Sequence, residues 1–331
     1  MSASRRSTRG AGSGGGGRGK PRRAATPAKP TKLTKLTKPA KPAKAAVAKG
    51  GSAGTHTRGR PSPTTRKAGA ARVEGPRRRA ERGLGGEQVE GRQAVRELLI
   101  AGRRRVREVL VASDADDIGP LQDIVELASS EGVPVREVTR RRLAAEARTE
   151  APQGVIARAA PLVDVDLDEL VVPRAGRSPF LLAVDGVTDP GNLGALLRSA
   201  ECAGVTGVVL PRHRTVHVTP MVTKAAAGAV EHLPMALVGG LPTAILRLRE
   251  LGVWVLGLDA AGDRSLFDLP IGDEPVCLVL GSEGAGLSRL VRQRCDLVVS
   301  IPLLGNLASL NVAAAGALAC YEVARRRLAS A

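Results

Sequence analysis

Two hydrophobic patterns alternate along the chain from about residue 87 onwards. Short runs of apolar, often β-branched residues predict strands, and apolar residues spaced at i, i+3, i+4 and i+7 predict helices. Residues 85–160 are predicted to form a small α/β domain, with a strand, turn and helix in 89–99, strands at 106–112, 133–138 and 153–157, and helices at 121–131 and 140–147. The first helix turns four residues inward, Ala94, Val95, Leu98 and Leu99. Two arginine clusters, at 103–107 and 140–142, are either solvated surface or contacts to phosphate groups.

The alternation continues after a connector, residues 161–178, in which a short acidic helix is predicted at 164–170. Further strands are predicted at 180–184, 207–210, 235–238, 253–258, 276–280 and 297–301, and helices at 192–203, 220–229, 243–251, 287–294 and 311–328. Strands that alternate with helices form a mostly parallel sheet, so the fold class is α/β. Ligands of such sheets bind at the carboxyl ends of the strands.

Residues 1–84 show neither pattern. They are rich in Gly, Ser, Ala and Pro and hold 23 Lys/Arg against 2 acidic residues, a net charge of +21, whereas residues 85–331 have a net charge of −3. Such a segment has too few apolar side chains to bury a core, so we predict a disordered basic tail. Its charge favours nucleic acid as a partner, bound through counterion release; a solubilising extension is the alternative.

The rest of the composition disfavours a membrane-spanning protein, a secreted protein and a metalloprotein. No run of about 18 apolar residues occurs, so no membrane span is expected, and no apolar segment follows the basic N-terminus as it would in a secretory signal. Four cysteines without a C-x-x-C pair and only four histidines predict no metal site. The apolar neighbours of the cysteines predict buried, reduced thiols in a cytoplasmic protein, at Cys202, Cys277, Cys295 and Cys320.

Three loops at predicted strand ends carry the candidate chemistry. The first enters a helix whose apolar stripe is Leu193, Leu196, Leu197 and Ala200. Asn192 is a candidate N-cap of that helix. Arg198 lies off the stripe, so it is either a solvated surface residue or a group directed at an anion or a developing negative charge.

The second loop, residues 281–288, is rich in glycine and joins a strand to a helix, as nucleotide-binding loops do. It lacks the Lys of G-x-x-x-x-G-K-[ST], and the spacing of Gly281, Gly284 and Gly286 reverses that of G-x-G-x-x-G. Glu283 would also repel a phosphate. Exposed backbone amides and carbonyls fit a nucleoside-type ligand instead, and a plain strand-to-helix turn is the alternative.

The third loop, within residues 301–316, leads from a strand into a helix of small residues, which is able to approach another backbone closely. Ser309 and Asn311 stand at the start of that helix. They are either functional groups or only the N-cap of a tightly packed helix.

Together the three loops resemble the motifs of the SpoU (TrmH) family of RNA ribose 2′-O-methyltransferases. The matching residues are Asn192-x-Gly194-x-x-x-Arg198, then Leu280-Gly281-Ser282-Glu283-Gly284-x-Gly286-Leu287, then Ile301-Pro302 with Ser309-Leu310-Asn311-Val312. Residue 313 is Ala where many relatives carry Ser, which alters no predicted catalytic residue. Residues 85–160 are similar to the ribosomal-protein-like RNA-binding domain of the family's rRNA branch, and the tail has no counterpart.

The resemblance implies a trefoil-knotted SPOUT methyltransferase domain at 179–331, in which the last helix passes through a loop and S-adenosylmethionine binds in a bent form. It also implies a homodimer with active sites near the subunit interface. The implied cofactor contacts are Gly281, Ser282, Gly284, Ile301, Pro302 and Leu310. The implied catalytic residues are Asn192, Arg198, Glu283, Ser309 and Asn311.

Methyl transfer to a ribose hydroxyl requires a group that eases the loss of its proton. Arg198 is predicted to stabilise the developing alkoxide, because a guanidinium hardly deprotonates, although action as a true base remains an alternative. The predicted substrate is a guanosine of 23S rRNA. The alternatives are a guanosine of tRNA, an adenosine of rRNA whose methylation confers antibiotic resistance, or no catalysis at all in an RNA-binding ribosome-assembly factor. The glycine spacing disfavours a Rossmann dehydrogenase.

Overall fold

The structure is a computed structural model that describes residues 83–113, 119–174, 176–213, 215–269 and 271–330. Almost all of the predicted basic tail, residues 1–82, lies outside the described residues. In the described ranges, no helix has both the length and the apolar character needed to cross a lipid bilayer. The described residues form two α/β modules, each built on its own sheet.

The four-stranded module, residues 88–159, has the predicted order of elements. Its strands are β1 (Gln88–Glu90), β2 (Val106–Ala112), β3 (Val135–Val138) and β4 (Val155–Ala159), and its helices are α1 (Arg92–Ala101), α2 (Gly119–Ser130) and α3 (Arg140–Glu146). The strand order is β1-β4-β2-β3, in which β4 is antiparallel to both neighbours and β2 is parallel to β3. The four residues predicted to face inward from α1 are all buried.

A buried carboxylate organises one end of this module. Glu90, at the end of β1, accepts hydrogen bonds from Gln88 Nε2 (2.7 Å), Arg148 N (2.6 Å) and both N and Oγ1 of Thr149 (3.0 and 2.5 Å). A charge buried away from water is costly unless such donors surround it. The four bonds therefore tie β1 to the segment between α3 and β4. The same segment brings the side-chain oxygen of Gln153 to the N–H of Arg92, 3.0 Å away at the start of α1.

The connector between the modules differs from its prediction. A 3-10 turn spans Leu167–Val171, where an acidic helix was expected at 164–170. Residues three apart lie on the same side of a 3-10 turn, so Leu167 and Leu170 both pack against the core of the following module. Leu170 fits over Gly207, where an added Cβ would lie 2.7 Å from a Leu170 methyl group.

The seven-stranded module, residues 180–330, is built on one parallel sheet. Its strands are β5 (Phe180–Asp185), β6 (Gly207–Pro211), β7 (Met235–Val238), β8 (Trp254–Leu258), β9 (Arg264–Ser265), β10 (Val276–Gly281) and β11 (Leu297–Ser300). Its helices are α4 (Pro190–Cys202), α5 (Pro220–Ala225), α6 (Leu241–Glu250), α7 (Arg289–Arg294) and α8 (Val312–Ser330). The strand order is β7-β6-β5-β10-β8-β11-β9, and every pair is parallel.

Strand β9 and the end of the helix predicted at 220–229 are among the features of this module that were not predicted. The two-residue strand β9 is too short to leave a hydrophobic pattern. The helix predicted at 220–229 ends at Ala225 and is followed by a 3-10 turn, Ala229–Glu231. Ala227 and Gly228 interrupt it because both have positive φ, 49° and 88°, which an α-helix does not allow.

The carboxyl ends of four strands meet at one edge of the parallel sheet. Gly281 at the end of β10 lies level with Asp185 at the end of β5, and Leu258 at the end of β8 lies level with Leu280 and Val299. The loops that follow these strands therefore start side by side. They include all three loops that the sequence predicts to carry the chemistry.

Helix α8 packs close to this edge, as its small residues predict. An added Cβ at Gly316 would collide with the side chain of Leu196 on α4 and lie 2.7 Å from a methyl group of Leu280 on β10. Arg327, near the other end of α8, donates to the carbonyl oxygens of Ser178, Pro179 and Glu274, each 2.9 Å away. A larger side chain at Gly316 would therefore clash with α4 and β10. A side chain shorter than that of Arg327 would lose these three hydrogen bonds.

The two modules are joined by a buried ion pair. The guanidinium of Arg104 donates to both carboxylate oxygens of Glu231, at 2.9 and 2.5 Å, and these side chains are only 6% and 1% exposed. Arg104 also donates to the carbonyl oxygens of Gly86 and Ala160, both at 2.6 Å. Within the 103–107 cluster, Arg104 is therefore structural and is not available to phosphate groups.

The cysteines follow their prediction with one exception. Cys277 and Cys320 are buried and Cys295 is partly buried, whereas Cys202 at the end of α4 is exposed, so the prediction is wrong for that residue. Burial raises the pKa of the Cys295 and Cys320 thiols to about 12 and raises the pKa of Cys277 further. These thiols are therefore protonated and unreactive near neutral pH.

Candidate active site

A cavity of about 410 Å³ opens at the carboxyl edge of the parallel sheet. Its walls are the ends of β8, β10 and β11, the loops that follow them and the first turn of α8. The lining residues are Leu258, Asp259, Ala260, Leu280, Gly281, Ser282, Glu283, Gly284, Ala285, Gly286, Ile301, Leu303, Ala308, Ser309, Leu310, Val312 and Ala315. Most of this surface is apolar or backbone, with two carboxylates, Asp259 and Glu283.

The loop after β10 is a closed turn that glycine makes possible. Ser282 N donates to Gly286 O and Gly286 N donates to Ser282 O, both at 3.0 Å. A Cβ at Gly281 would overlap the backbone of Gly286 and lie 2.5 Å from the nitrogen of Leu287. Gly284 and Gly286 have φ of 83° and 65°, in the left-handed region. Gly281 therefore lets the backbone of Gly286 approach the end of β10, and this closed turn forms part of the cavity wall.

A chain of side-chain hydrogen bonds links the three predicted loops. Asn311 Nδ2 donates to Asn192 Oδ1 (2.8 Å), and Asn192 Nδ2 donates to Glu283 Oε2 (3.1 Å). We call these three residues the amide relay. The Oδ1 atom of Asn311 also accepts from the N–H groups of Ala313 and Ala314, so Asn311 both caps α8 and belongs to the relay.

The first residue of the relay corrects one prediction. Asn192 was a candidate N-cap of α4, but the helix begins at Pro190 and its N-cap is Asp189, whose side chain accepts from Asn192 N at 2.6 Å. Asn192 therefore lies inside the first turn. Its side chain does not cap the helix and is left to reach the other two loops.

The predicted cofactor residues fall into two groups. Gly281, Ser282, Gly284, Ile301 and Leu310 all line the cavity. Pro302 follows Ile301 but is exposed and is not part of the lining. Of the predicted catalytic residues, Glu283 and Ser309 line the same cavity, and Asn192 and Asn311 meet Glu283 through the relay.

Arg198 is the predicted catalytic residue that lies elsewhere. Its side chain is exposed and lines a second cavity, between the two modules, together with Gln153 and Lys224. Within the described residues, no hydrogen bond or ion pair engages its guanidinium. Within one chain, Arg198 therefore lies outside the cavity that Glu283 and Ser309 line. The catalytic role of Arg198 stays a prediction.

The sequence analysis missed Asp259, which lies directly after β8 in the wall of the cavity. Burial alone would raise the pKa of its carboxyl group, but hydrogen bonds from Ala261 N (2.9 Å) and Leu287 N (3.4 Å) and the ion pair with Arg292 (2.8 Å) outweigh burial. The pKa of Asp259 therefore lies below its ordinary value. The rule that locates the other loops, a polar residue at the end of a predicted parallel strand, would have identified it.

Comparison with known proteins explains this arrangement. Residues 179–321 match the SpoU rRNA Methylase family, and residues 88–164 match a model described as RNA 2′-O ribose methyltransferase substrate binding. The 23S rRNA (guanosine-2′-O-)-methyltransferase RlmB of Shewanella oneidensis is 39% identical over 210 residues, which cover 62% of this chain and 84% of that protein. The chain belongs to the SpoU family.

Other members of the SpoU family agree with this assignment. An uncharacterized tRNA/rRNA methyltransferase of Mycobacterium avium is 38% identical over 76% of this chain and 81% of its own length. Among solved structures, the SpoU methyltransferase AviRb of Streptomyces viridochromogenes, in complex with AdoMet, aligns with a TM-score of 0.61 at 27% identity. That alignment covers 73% of this chain and 90% of AviRb.

The cavity has the chemistry that S-adenosylmethionine requires. Its apolar walls and exposed backbone suit an adenosine, and its two carboxylates suit a ligand that carries a sulfonium and an ammonium group. Gly281 and Gly286, both in the cavity wall, allow the turn to close, because an added Cβ would meet the Gly286 backbone or the Asp259 carboxylate. Among the described residues, no group of His, Cys, Asp and Glu is arranged to hold a metal ion.

Proposed function

We propose that this protein transfers a methyl group from S-adenosylmethionine to the 2′-hydroxyl of a guanosine ribose in 23S rRNA. The observation that carries the proposal is the amide relay, which joins the three loops of the SpoU family beside a cavity suited to the cofactor. The RlmB relatives, whose names give 23S rRNA guanosine as their substrate, support this choice of RNA.

The cofactor supplies the reactive methyl group when bound, and the residues of the chain position the other reactant. Gly281, Ile301 and Leu310 hold the cofactor, largely through backbone contacts. The relay fixes the carboxylate of Glu283, and Ser309 lines the same cavity, so both are placed to orient the ribose. Arg198 stabilises the developing alkoxide of the 2′-oxygen, because a guanidinium stays charged.

We also propose the domain organisation and assembly that the family resemblance implies. Residues 85–160 are a ribosomal-protein-like RNA-binding domain, 161–178 a linker and 179–331 a trefoil-knotted methyltransferase domain whose last helix passes through a loop. The close approach of Gly316 to α4 and β10 supports the threaded helix. A homodimer is supported by the exposed side chains along one face of α8 and in the loop before it, Leu304, Leu307, Leu318, Tyr321 and Leu328.

Two measurements test the proposed function. Mapping of 2′-O-methylation in rRNA and tRNA from a deletion strain is expected to show one guanosine of 23S rRNA without its methyl group. Loss of a tRNA methyl group or of an rRNA adenosine methyl group would reassign the substrate. Failure of the full chain to bind labelled S-adenosylmethionine would favour a non-catalytic assembly factor.

A variant separates catalysis from cofactor binding. Arg198→Ala is expected to abolish methyl transfer and leave cofactor affinity unchanged, because Arg198 does not line the cofactor cavity. Gln293→Ala, a change of an exposed residue on α7, is the control for surface substitution. Undiminished transfer by Arg198→Ala would remove Arg198 from the mechanism.

A further inference from the structure

A second cavity, of about 430 Å³, lies between the two modules. We call it the inter-module cleft and define it by the side chains that give it its character, Gln93, Gln153, Arg198, Met221, Lys224 and Ala227. Gln93 and Gln153 come from the four-stranded module and the others from α4, α5 and the turn after α5. The cleft therefore exists only because the modules are docked.

The cleft has strained backbone on both sides. Among the described residues, Gln153 and Ala227 are the only non-glycine residues with positive φ, 59° and 49°, and both line the cleft. Such a conformation is uncommon for a residue with a Cβ and is retained mainly at functional sites. Its occurrence on both walls of one cavity is a reason to look for a ligand there.

The two glutamines present complementary polar atoms. The side-chain oxygen of Gln153 accepts from Arg92 N at 3.0 Å, and the side-chain nitrogen of Gln93 donates to Glu97 Oε1 at 2.9 Å. Within the described residues, the amide nitrogen of Gln153 and the amide oxygen of Gln93 have no hydrogen-bond partner. One donor and one acceptor beside an exposed methionine, Met221, match the edge and the face of a nucleobase.

The charge of the cleft is positive. Lys224 donates one hydrogen bond to the carbonyl oxygen of Ala151 and has two further N–H groups, and the Arg198 guanidinium is unengaged within the described residues. The one carboxylate in the cleft wall, Glu90, is already satisfied by its four hydrogen bonds. Two cations against one carboxylate leave the cleft with a net positive charge, which suits a phosphodiester group.

The position of the cleft relates it to the proposed reaction. Arg198 and Asn192 lie on the same helix, α4, six residues apart, which corresponds to about 9 Å along the axis. Arg198 belongs both to the cleft and to the proposed reaction, so a ribose held at Arg198 would place a neighbouring nucleotide at the cleft. Lys224, Gln93 and Gln153 have no role in the chemistry described above, so the cleft adds residues to the RNA contact.

We propose that the inter-module cleft binds the nucleotide adjacent to the methylated one, in single-stranded form. Lys224 contacts the phosphodiester that links this nucleotide to the ribose at Arg198, and Gln93 and Gln153 contact the edge of its base. This inference rests on the proposed function, because it takes RNA as the substrate. It concerns RNA contact alone, so its tests are read out without methyl transfer.

The sequence provides a direct probe of the cleft. Lys224 is the only lysine in residues 68–331, and the remaining lysines all belong to the tail. Acylation of lysines in the full chain, mapped by mass spectrometry, therefore reports the cleft and the tail separately. The full chain is compared alone, with a 23S rRNA transcript, with double-stranded RNA and with inorganic phosphate.

The proposal predicts that the transcript protects Lys224 from acylation about tenfold, as expected for a charged hydrogen bond, and that double-stranded RNA and phosphate do not. Equal protection by inorganic phosphate would show that the cleft is only an anion-binding site and would refute the nucleotide contact. Equal protection by double-stranded RNA would refute single-strand binding. Protection of the tail lysines with an unprotected Lys224 would refute the cleft contact and leave the proposed function untouched.

Variants test the same contact without chemical modification. Lys224→Ala is expected to weaken binding of the transcript about tenfold and to reduce the salt slope of binding by about one, with Lys224→Arg restoring both. S-adenosylmethionine affinity should be unchanged in both variants. Unchanged RNA affinity and salt slope in Lys224→Ala would overturn the proposal.

A matched pair of glycine variants tests the base contact. Gln153→Gly removes the amide and suits the positive φ, and Ala227→Gly relieves the same strain without removing a polar group. Only Gln153→Gly is expected to weaken binding of the transcript. If both variants weaken binding equally, the effect comes from backbone mobility and the base contact is refuted.

Discussion

The ion pair between Arg104 and Glu231 offers a test of how firmly the modules are docked. Arg104→Ala removes the only partner of the Glu231 carboxylate within the described residues, in a site where that side chain is 1% exposed. It also removes the donor from the carbonyl oxygens of Gly86 and Ala160. Breaking a buried pair in this way costs about 3–5 kcal/mol, because the remaining charge stays buried without compensation.

The expected loss is large enough to measure by urea unfolding. With an m-value of roughly 3 kcal/mol/M, the midpoint falls by about 1–2 M. Trp254 is the only tryptophan of the chain and lies on β8, so its fluorescence reports the seven-stranded module, whereas circular dichroism reports both modules. The two transitions should coincide in the natural protein and separate in Arg104→Ala, because the four-stranded module loses its buried ion pair and keeps more exposed contacts such as the Glu97–His232 pair.

Two further variants make the reasoning refutable. Arg158→Ala breaks an exposed pair with Glu108 and Glu146 and should cost at most about 1 kcal/mol. Arg104→Met combined with Glu231→Leu leaves no buried charge and should be more stable than Arg104→Ala. If Arg104→Ala costs no more than Arg158→Ala, or if the double variant is the least stable of the three, the buried pair does not dock the modules.

Three other predictions follow from the structure. Gly316→Val should lower the free energy of unfolding by about 1–3 kcal/mol, measured by thermal melting, because its side chain would overlap Leu196 and Leu280; no loss would refute the close approach of α8. Asp259 has a lowered pKa in the folded state, so its contribution is present above its ordinary pKa of 3.8 and is lost as the pH falls below that value. The stability of Asp259→Asn should therefore depend less on pH in that acid range, and an unchanged dependence would contradict the ion pair with Arg292. Deletion of residues 1–84 should flatten the salt dependence of RNA binding, and an unchanged slope would show that the tail is not the electrostatic contact.

Most of the helices and strands could be predicted from the local pattern of apolar and polar residues. The bounds predicted for β2 agree with the structure because the strand is rich in β-branched residues and polar residues follow it in the sequence. The inward face of α1 was predicted from its spacing alone. The helix start at Pro190 was predictable too, since Pro favours the first helical position after an Asp cap, but the choice of Asn192 overlooked that signal.

Features that depend on contacts between residues far apart in the chain could not be predicted as well from the sequence. The polar character of Asn192, Glu283 and Asn311 is visible in the sequence, but their mutual hydrogen bonds join residues far apart in the chain and depend on the strand order. The separation of Arg198 from the cofactor cavity depends on how the two modules pack. No local pattern encodes that packing, because the Arg104–Glu231 pair that fixes it reads as a surface arginine and an isolated acid.

The parallel ladder between β5 and β10 has a consequence for the order in which the protein folds. Its first paired residues, Phe180 and Val276, are separated by four other strands of the chain. Closing so long a segment is entropically costly, and folds rich in such distant pairings form slowly. The amide relay needs this ladder and the docked α8 before it can form. Folding intermediates should therefore have no affinity for the cofactor. The cofactor would then stabilise the native protein by mass action but would not increase its folding rate.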